Sequence, residues 1–225
     1  MAGAVTLSVI VRGIRPRRRP ADLWAAVRSR TWLRRSLVAL NLCLALVGAG
    51  LVAYPFATDA FAKHWVQPRA AARLDDPGLA ERYRTNTVRN ASPLTRLRIP
   101  RLGVDVVVVQ GVTKDALRAG AGHYPNTPLP GERGNVAIAG HRVTWGKPFR
   151  HMDRLRRGDR IELATPVGTF VYEVSVEPFV VAPGDLSVIS QSDRPMLTLT
   201  TCNPVHDDRE RLVVHAALVS GGVDA

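Results

Sequence analysis

The chain has 225 residues, with 31 Lys and Arg against 19 Asp and Glu and a formal net charge of +12. That length admits one domain with a full hydrophobic core beside non-globular segments, and argues against several domains. The two cysteines, Cys43 and Cys202, lie far apart, and Cys43 falls inside an apolar run, which excludes a disulfide-stapled scaffold and leaves Cys202 a free thiol.

The charge is unevenly placed. Residues 1–35 hold nine arginines and one acid, Asp22. A basic excess can mark a nucleic-acid binder, but this one stops at the edge of a long apolar run, which points to a membrane and away from nucleic acid. Residues 36–57 form that run, 22 positions without a charge. As a helix rising about 1.5 Å per residue they span a hydrocarbon core of about 30 Å. Tyr54 and Trp65 suit the outer interface, and Pro55 is expected to mark the exit. Arg28, Arg30, Arg34 and Arg35 precede the run and place the N-terminus in the cytoplasm, with residues 58–225 outside. A cleaved signal peptide is the competing reading, since Ala60-Phe61-Ala62 resembles a cleavage site. Its apolar and basic parts are both longer than such peptides carry, so a retained anchor is expected.

Residues 58–94 are rich in Ala, Arg, Asp, Asn and Pro, with a weak apolar stripe over 70–84, and read as an extracellular stalk. From residue 95 short β-rich runs alternate with Gly, Pro and Asn turns: 97–99, 104–109, 135–139, 160–164, 169–181, 196–201 and 212–219. Residues 114–119 and 149–155 read as short helical turns. Many short strands with little helix predict an all-β domain, a closed or nearly closed barrel over 95–220, with 221–225 a short tail.

The chemistry gathers at strand ends. Thr198-Leu199-Thr200-Thr201 reads as a strand running into Cys202, and Asn203-Pro204 breaks the ladder behind it. A thiol so placed can be aimed into a cleft. His141 closes the apolar strand 135–140, and Arg211 opens another strand. Together the three supply a nucleophile, a proton carrier and an anion stabiliser. Arginine does not deprotonate, so Arg211 serves as a donor to an oxyanion, with a salt bridge to Asp207, Asp208 or Glu210 as its alternative. Thr201 can add a further donor. Among the other histidines, His206 is the main rival to His141 because it lies four residues from Cys202, and His123 can line the cleft. Spacing alone does not choose between them. No zinc spacing, phosphate-binding glycine loop or Ser-centred elbow is present, so no metal or cofactor is expected. The acids near 207–210 read as a solvated turn, with a calcium ion as the alternative.

These motifs resemble a sortase. Thr198-Leu199-Thr200-Thr201-Cys202, Arg211-Leu212-Val213-Val214, Gly122-His123-Tyr124-Pro125, Ala139-Gly140-His141-Arg142 and Ile99-Pro100-Arg101-Leu102 carry the resemblance, and they are most similar to the actinobacterial class E sortases. The resemblance covers about residues 95–220. It implies an eight-stranded barrel and a membrane-anchored cysteine transpeptidase that cleaves a Leu-Pro-x-Thr-Gly or Leu-Ala-x-Thr-Gly sorting signal between Thr and Gly. The acyl group would pass to a peptidoglycan-precursor amine such as that of lipid II. The same resemblance assigns the proton carrier to His141. It also associates the aromatic after the histidine, here Trp145 where tyrosine is usual, with the choice between alanine and proline in the signal. A pilin-polymerising sortase, or a non-catalytic extracellular binding module, is the alternative.

Overall fold

The computed structural model describes residues 31–221. The apolar stretch lies in a helix, Thr31–Phe61. Leu37, Leu40, Leu42, Leu44, Leu46 and Leu51 are all exposed on it. A helix that exposes apolar side chains on every side suits an apolar solvent, and this one is long and apolar enough to cross a membrane. Pro55 lies within it. Proline removes one N–H and crowds the turn before it, but the helix continues through it, with the Thr58 hydroxyl donating to the Pro55 carbonyl at 3.0 Å. A π-helical turn, Ala62–Val66, and a short helix, Gln67–Ala72, follow without a break. Residues up to Leu51 and those from Val52 onward form two separate compact units.

The second unit is a β-barrel. Its strands are β1 (Pro93–Ile99), β2 (Val104–Gln110), β3 (Ala121–His123), β4 (Asn135–Gly140), β5 (Arg160–Thr165), β6 (Gly168–Val174), β7 (Phe179–Val181), β8 (Met196–Asn203) and β9 (Glu210–Gly221). The order β6-β5-β1-β2-β3-β4-β8-β9 closes on itself through β6–β9 pairing, which makes eight barrel strands. β7 adds to the first half of β9, whose twelve residues serve β7 first and β6 later. Closure leaves the barrel strands few free edges. Leu97, Ile99, Ile138, Leu163, Tyr172, Leu197, Leu199 and Val214 point inward and are fully buried. The strand predicted over 169–181 is two strands, divided by Ser175–Pro178 where Pro178 cannot continue a ladder.

Residues 58–94, expected as a stalk, lie against the barrel. β3 pairs with β2 only from Val108 onward, which leaves Val107 at an open edge. The Gln67 side-chain amide fills that edge: Oε1 accepts from the Val107 N–H at 2.7 Å and Nε2 donates to its carbonyl at 3.3 Å. The amide thus acts as a one-residue strand. Further on, the helix Pro77–Arg84 starts with Pro77 behind an Asp76 cap that accepts from the Gly78 N–H. It buries Leu79 and Tyr83, and the Tyr83 hydroxyl donates to the Pro130 carbonyl at 2.9 Å.

Candidate active site

Register brings the thiol and the imidazole together. β4 and β8 run parallel, and their last paired residues are Ala139 and Thr200. Two positions further along each strand stand His141 and Cys202. A step of two keeps both side chains on the face of Ala139 and Thr200. On the other side of β8, Cys202 is the cross-strand partner of Arg211 on β9. His141 and Cys202 line one open cleft of about 410 Å³, together with Val143, Thr144 and His206. Cys202 is half-buried and free of any disulfide.

His141 is half-buried, and burial, followed by the positive charge of Arg118, holds its pKa below the ordinary histidine value. A neutral imidazole is therefore favoured at neutral pH, ready to take a proton. His206 shares the cleft but is exposed and sits in a left-handed loop position at φ 71°. Arg211 does not make the salt bridge that was its alternative reading. Its Nη1 donates to the Asp208 and Glu210 carbonyls, both at 2.8 Å, which anchors the guanidinium across the β8–β9 loop. Nε and Nη2 make no other protein hydrogen bond among the described residues, so they remain donors for an anion beside the thiol. The neighbouring acids are tied into the turn: Asp207 accepts from Arg209, and Glu210 from the Asn203 amide.

Three residues expected at the substrate stand elsewhere. His123 is fully buried and does not line the cleft. Its Nδ1 lies 2.8 Å from Gln110 Oε1, and its Nε2 lies 2.9 Å from the Pro128 carbonyl. Thr201 is buried as well, and its hydroxyl donates to the Gly140 carbonyl at 2.7 Å. It stitches β8 to the end of β4 one residue before both His141 and Cys202, so it positions the pair and does not face the cleft. Trp145 lies on the loop after His141 but outside the cleft of Cys202. Its ring meets Phe61 edge-on at 6.4 Å and lies under the Arg118 guanidinium at 5.5 Å.

Sequence reasoning missed Arg142. Its side chain is only 6% exposed. Nη1 donates to the Cys202 carbonyl at 3.3 Å and to the Asn203 side chain, Nη2 pairs with Asp153 at 3.1 Å, and Nε reaches the Arg150 carbonyl. One buried guanidinium therefore binds the backbone of the thiol residue to the loop carrying the histidine. It stands in the motif Ala139-Gly140-His141-Arg142, but nothing local shows this role, since its partners lie 8 to 61 positions away.

The Sortase domain family matches residues 97–219, the barrel and all of this site. Sortase D of Bacillus subtilis (strain 168) is 37% identical over 109 residues, which is 48% of this chain and 53% of that protein. Sortase SrtE1 of Streptomyces coelicolor is 30% identical over 166 residues, 67% of this chain and 47% of that protein. The chain thus spans about half the length of these curated relatives. The solved structure of sortase E from Streptomyces avermitilis superposes with a TM-score of 0.55 at 36% identity, over 60% of this chain and 93% of that one. With a closed eight-stranded barrel and a family match over more than half its length, the chain belongs to the sortase family.

Proposed function

We propose that the protein is a membrane-anchored cysteine transpeptidase acting on a sorting signal of the Leu-Pro/Ala-x-Thr-Gly kind, with its catalytic domain outside the cell and its N-terminus in the cytoplasm. The observation that carries this reading is the pairing of Cys202 with His141 in one open cleft, at the matched ends of two parallel strands. The thiolate of Cys202 attacks the threonine carbonyl. The oxyanion that forms beside β9 is met by the free donors of Arg211. His141, having taken the thiol proton, gives it to the departing glycine amine, and a thioester remains on Cys202. An incoming amine then attacks the thioester, loses a proton to His141 and leaves with the acyl group. Val143 and Thr144 on the cleft wall would meet the residues before the scissile bond.

A peptidoglycan-precursor amine is the proposed acceptor. Support comes from the helix Thr31–Phe61, which is long and apolar enough to hold the enzyme at the membrane where such precursors are displayed. The test is turnover of Leu-Pro-x-Thr-Gly and Leu-Ala-x-Thr-Gly peptides by the full chain in detergent, with glycyl, diaminopimelyl and lysyl amines as acceptors. Amine-dependent formation of the Thr–amide product supports the reading. Transfer only to a protein lysine identifies a pilin-polymerising enzyme, and absence of cleavage of either peptide identifies a binding module.

A further inference from the structure

Asp59 lies two residues beyond the uncharged stretch, at the end of the apolar helix, yet it is engaged by the loop that follows His141. Its Oδ1 accepts from the Gly146 N–H at 3.0 Å, and its buried Oδ2 faces the Lys147 ammonium in an ion pair. Two residues further along the helix, Phe61 supports the Trp145 ring. Ala62, fully buried, leaves room for the Gly146 backbone, since a Cβ on Gly146 would come within 3.6 Å of the Ala62 Cβ.

The loop needs this support. Trp145, Gly146 and Lys147 adopt φ values of 55°, 80° and 37°, three left-handed residues in succession. Only glycine adopts that region freely, and a tryptophan and a lysine stay there only when their surroundings hold them. Inside the loop itself, the Lys147 N–H donates to the Thr144 carbonyl at 3.0 Å and the Lys147 carbonyl accepts from the Arg150 N–H at 3.1 Å, while the Trp145 and Gly146 backbone makes no such turn bond among the described residues. Trp145 and Gly146 are met from outside the loop, by the helix and by Arg118 above the indole. Thr144, the last residue of the cleft wall, is joined directly to this triplet, and His141 begins the same loop, with its carbonyl accepting from the Phe149 N–H at 3.2 Å.

We infer that Asp59 is a positioning residue for the His141–Lys147 loop, so that the membrane-exit helix is a working part of the active site as well as its tether. The inference rests on the reading of Cys202 and His141 given above. A carboxylate at position 59 holds the strained triplet by one charge-assisted hydrogen bond and one ion pair. Through that triplet it holds the wall formed by Val143 and Thr144 and the base at His141. Catalytic domains cut free after this point would lose the restraint.

The test uses the full chain in detergent micelles, comparing Asp59→Ala with Asp59→Asn. The asparagine keeps an oxygen for the Gly146 N–H and loses only the charge, so it serves as the conservative rescue. Hydrogen exchange at the Gly146 amide is expected to speed up about tenfold or more in Asp59→Ala and to stay within about threefold of wild type in Asp59→Asn. Peptide kcat/KM should fall about tenfold in the alanine variant, with most of it regained in asparagine and the thermal midpoint of the barrel unchanged. Unaltered exchange at Gly146 in Asp59→Ala overturns the inference, as does faster exchange without loss of turnover. If the wild type turns over no sorting peptide, the transpeptidase reading fails by itself, and the exchange result still decides whether Asp59 holds the loop.

Discussion

At the scale of single residues, the thiol, the imidazole and the guanidinium were readable because each stands at a strand boundary, and strand parity then fixes the face it points to. His123 was misread because adjacency to a glycine says nothing about burial. In the structure it is a core histidine fastened at both ring nitrogens. Arg142 was invisible because an arginine in a loop normally faces water, and only the folded barrel brings Cys202, Asn203 and Asp153 around it. Two predictions follow from these positions. His141→Ala should remove turnover almost completely, by about 10²-fold or more, whereas His206→Ala should stay within a few fold, because His206 is exposed and held by no strand. Steady-state kinetics of both variants check this, and the reverse order would transfer the proton to His206. Arg142→Met should leave the Cys202 carbonyl, the Asn203 amide and Asp153 without their donor. The expected loss of stability is about 1–3 kcal/mol, with kcat falling more steeply than KM rises. Denaturant melts and kinetics on the same preparation separate the two effects.

At the scale of elements, periodicity located the long, strongly apolar strands and failed where local chemistry is weak. β3, only Ala121–His123, carries a glycine in its middle and has no strand signature. It exists because Val108 and Ile138 offer it a ladder on each side. The segment 58–94 read as polar linker because its contacts use single side chains: Gln67 on Val107, and Tyr83 on Pro130. The end of β4 shows how tightly the element under the active site is packed. A Cβ on Gly140 would stand 2.6 Å from the Phe149 ring, and Phe149 is fully buried beneath the His141 loop. Gly140→Ala should therefore destabilise the barrel by about 1–3 kcal/mol through overpacking and also displace His141. A lowered thermal midpoint together with a lost kcat is the expected outcome, and an alanine variant of normal stability and activity would show that the ring yields freely.

At the scale of the whole molecule, the barrel carries one fully buried histidine and two half-buried ones whose neutral form is favoured. Burial pushes the pKa of His123 down to about 4, against the Pro128 carbonyl, which pulls the other way. His215 and His141 are lowered as well, also chiefly by burial. In the unfolded chain these groups titrate near 6.5. Above that pH both states are neutral at these sites and stability is flat. Below it the unfolded chain binds protons that the folded chain refuses, so stability falls from about pH 6.5 toward 4. The His123 contribution is on the order of 3 kcal/mol. The depressed carboxylates, such as Asp105 held down by Arg96, act lower, below the ordinary carboxylate pKa of 3.8. Chemical denaturation at several pH values should show the fall in wild type and a clearly shallower one in His123→Gln. Parallel curves would remove His123 from the account.

Cys202 as the acyl carrier is tested most directly by intact-mass spectrometry of the full chain after brief exposure to sorting-signal peptide without an acceptor amine. That role predicts an adduct equal to the peptide up to its threonine, located on Cys202 by fragmentation, absent from Cys202→Ala and discharged on adding an amine. Cleavage of the peptide by Cys202→Ala, or an adduct on any other residue, would contradict it.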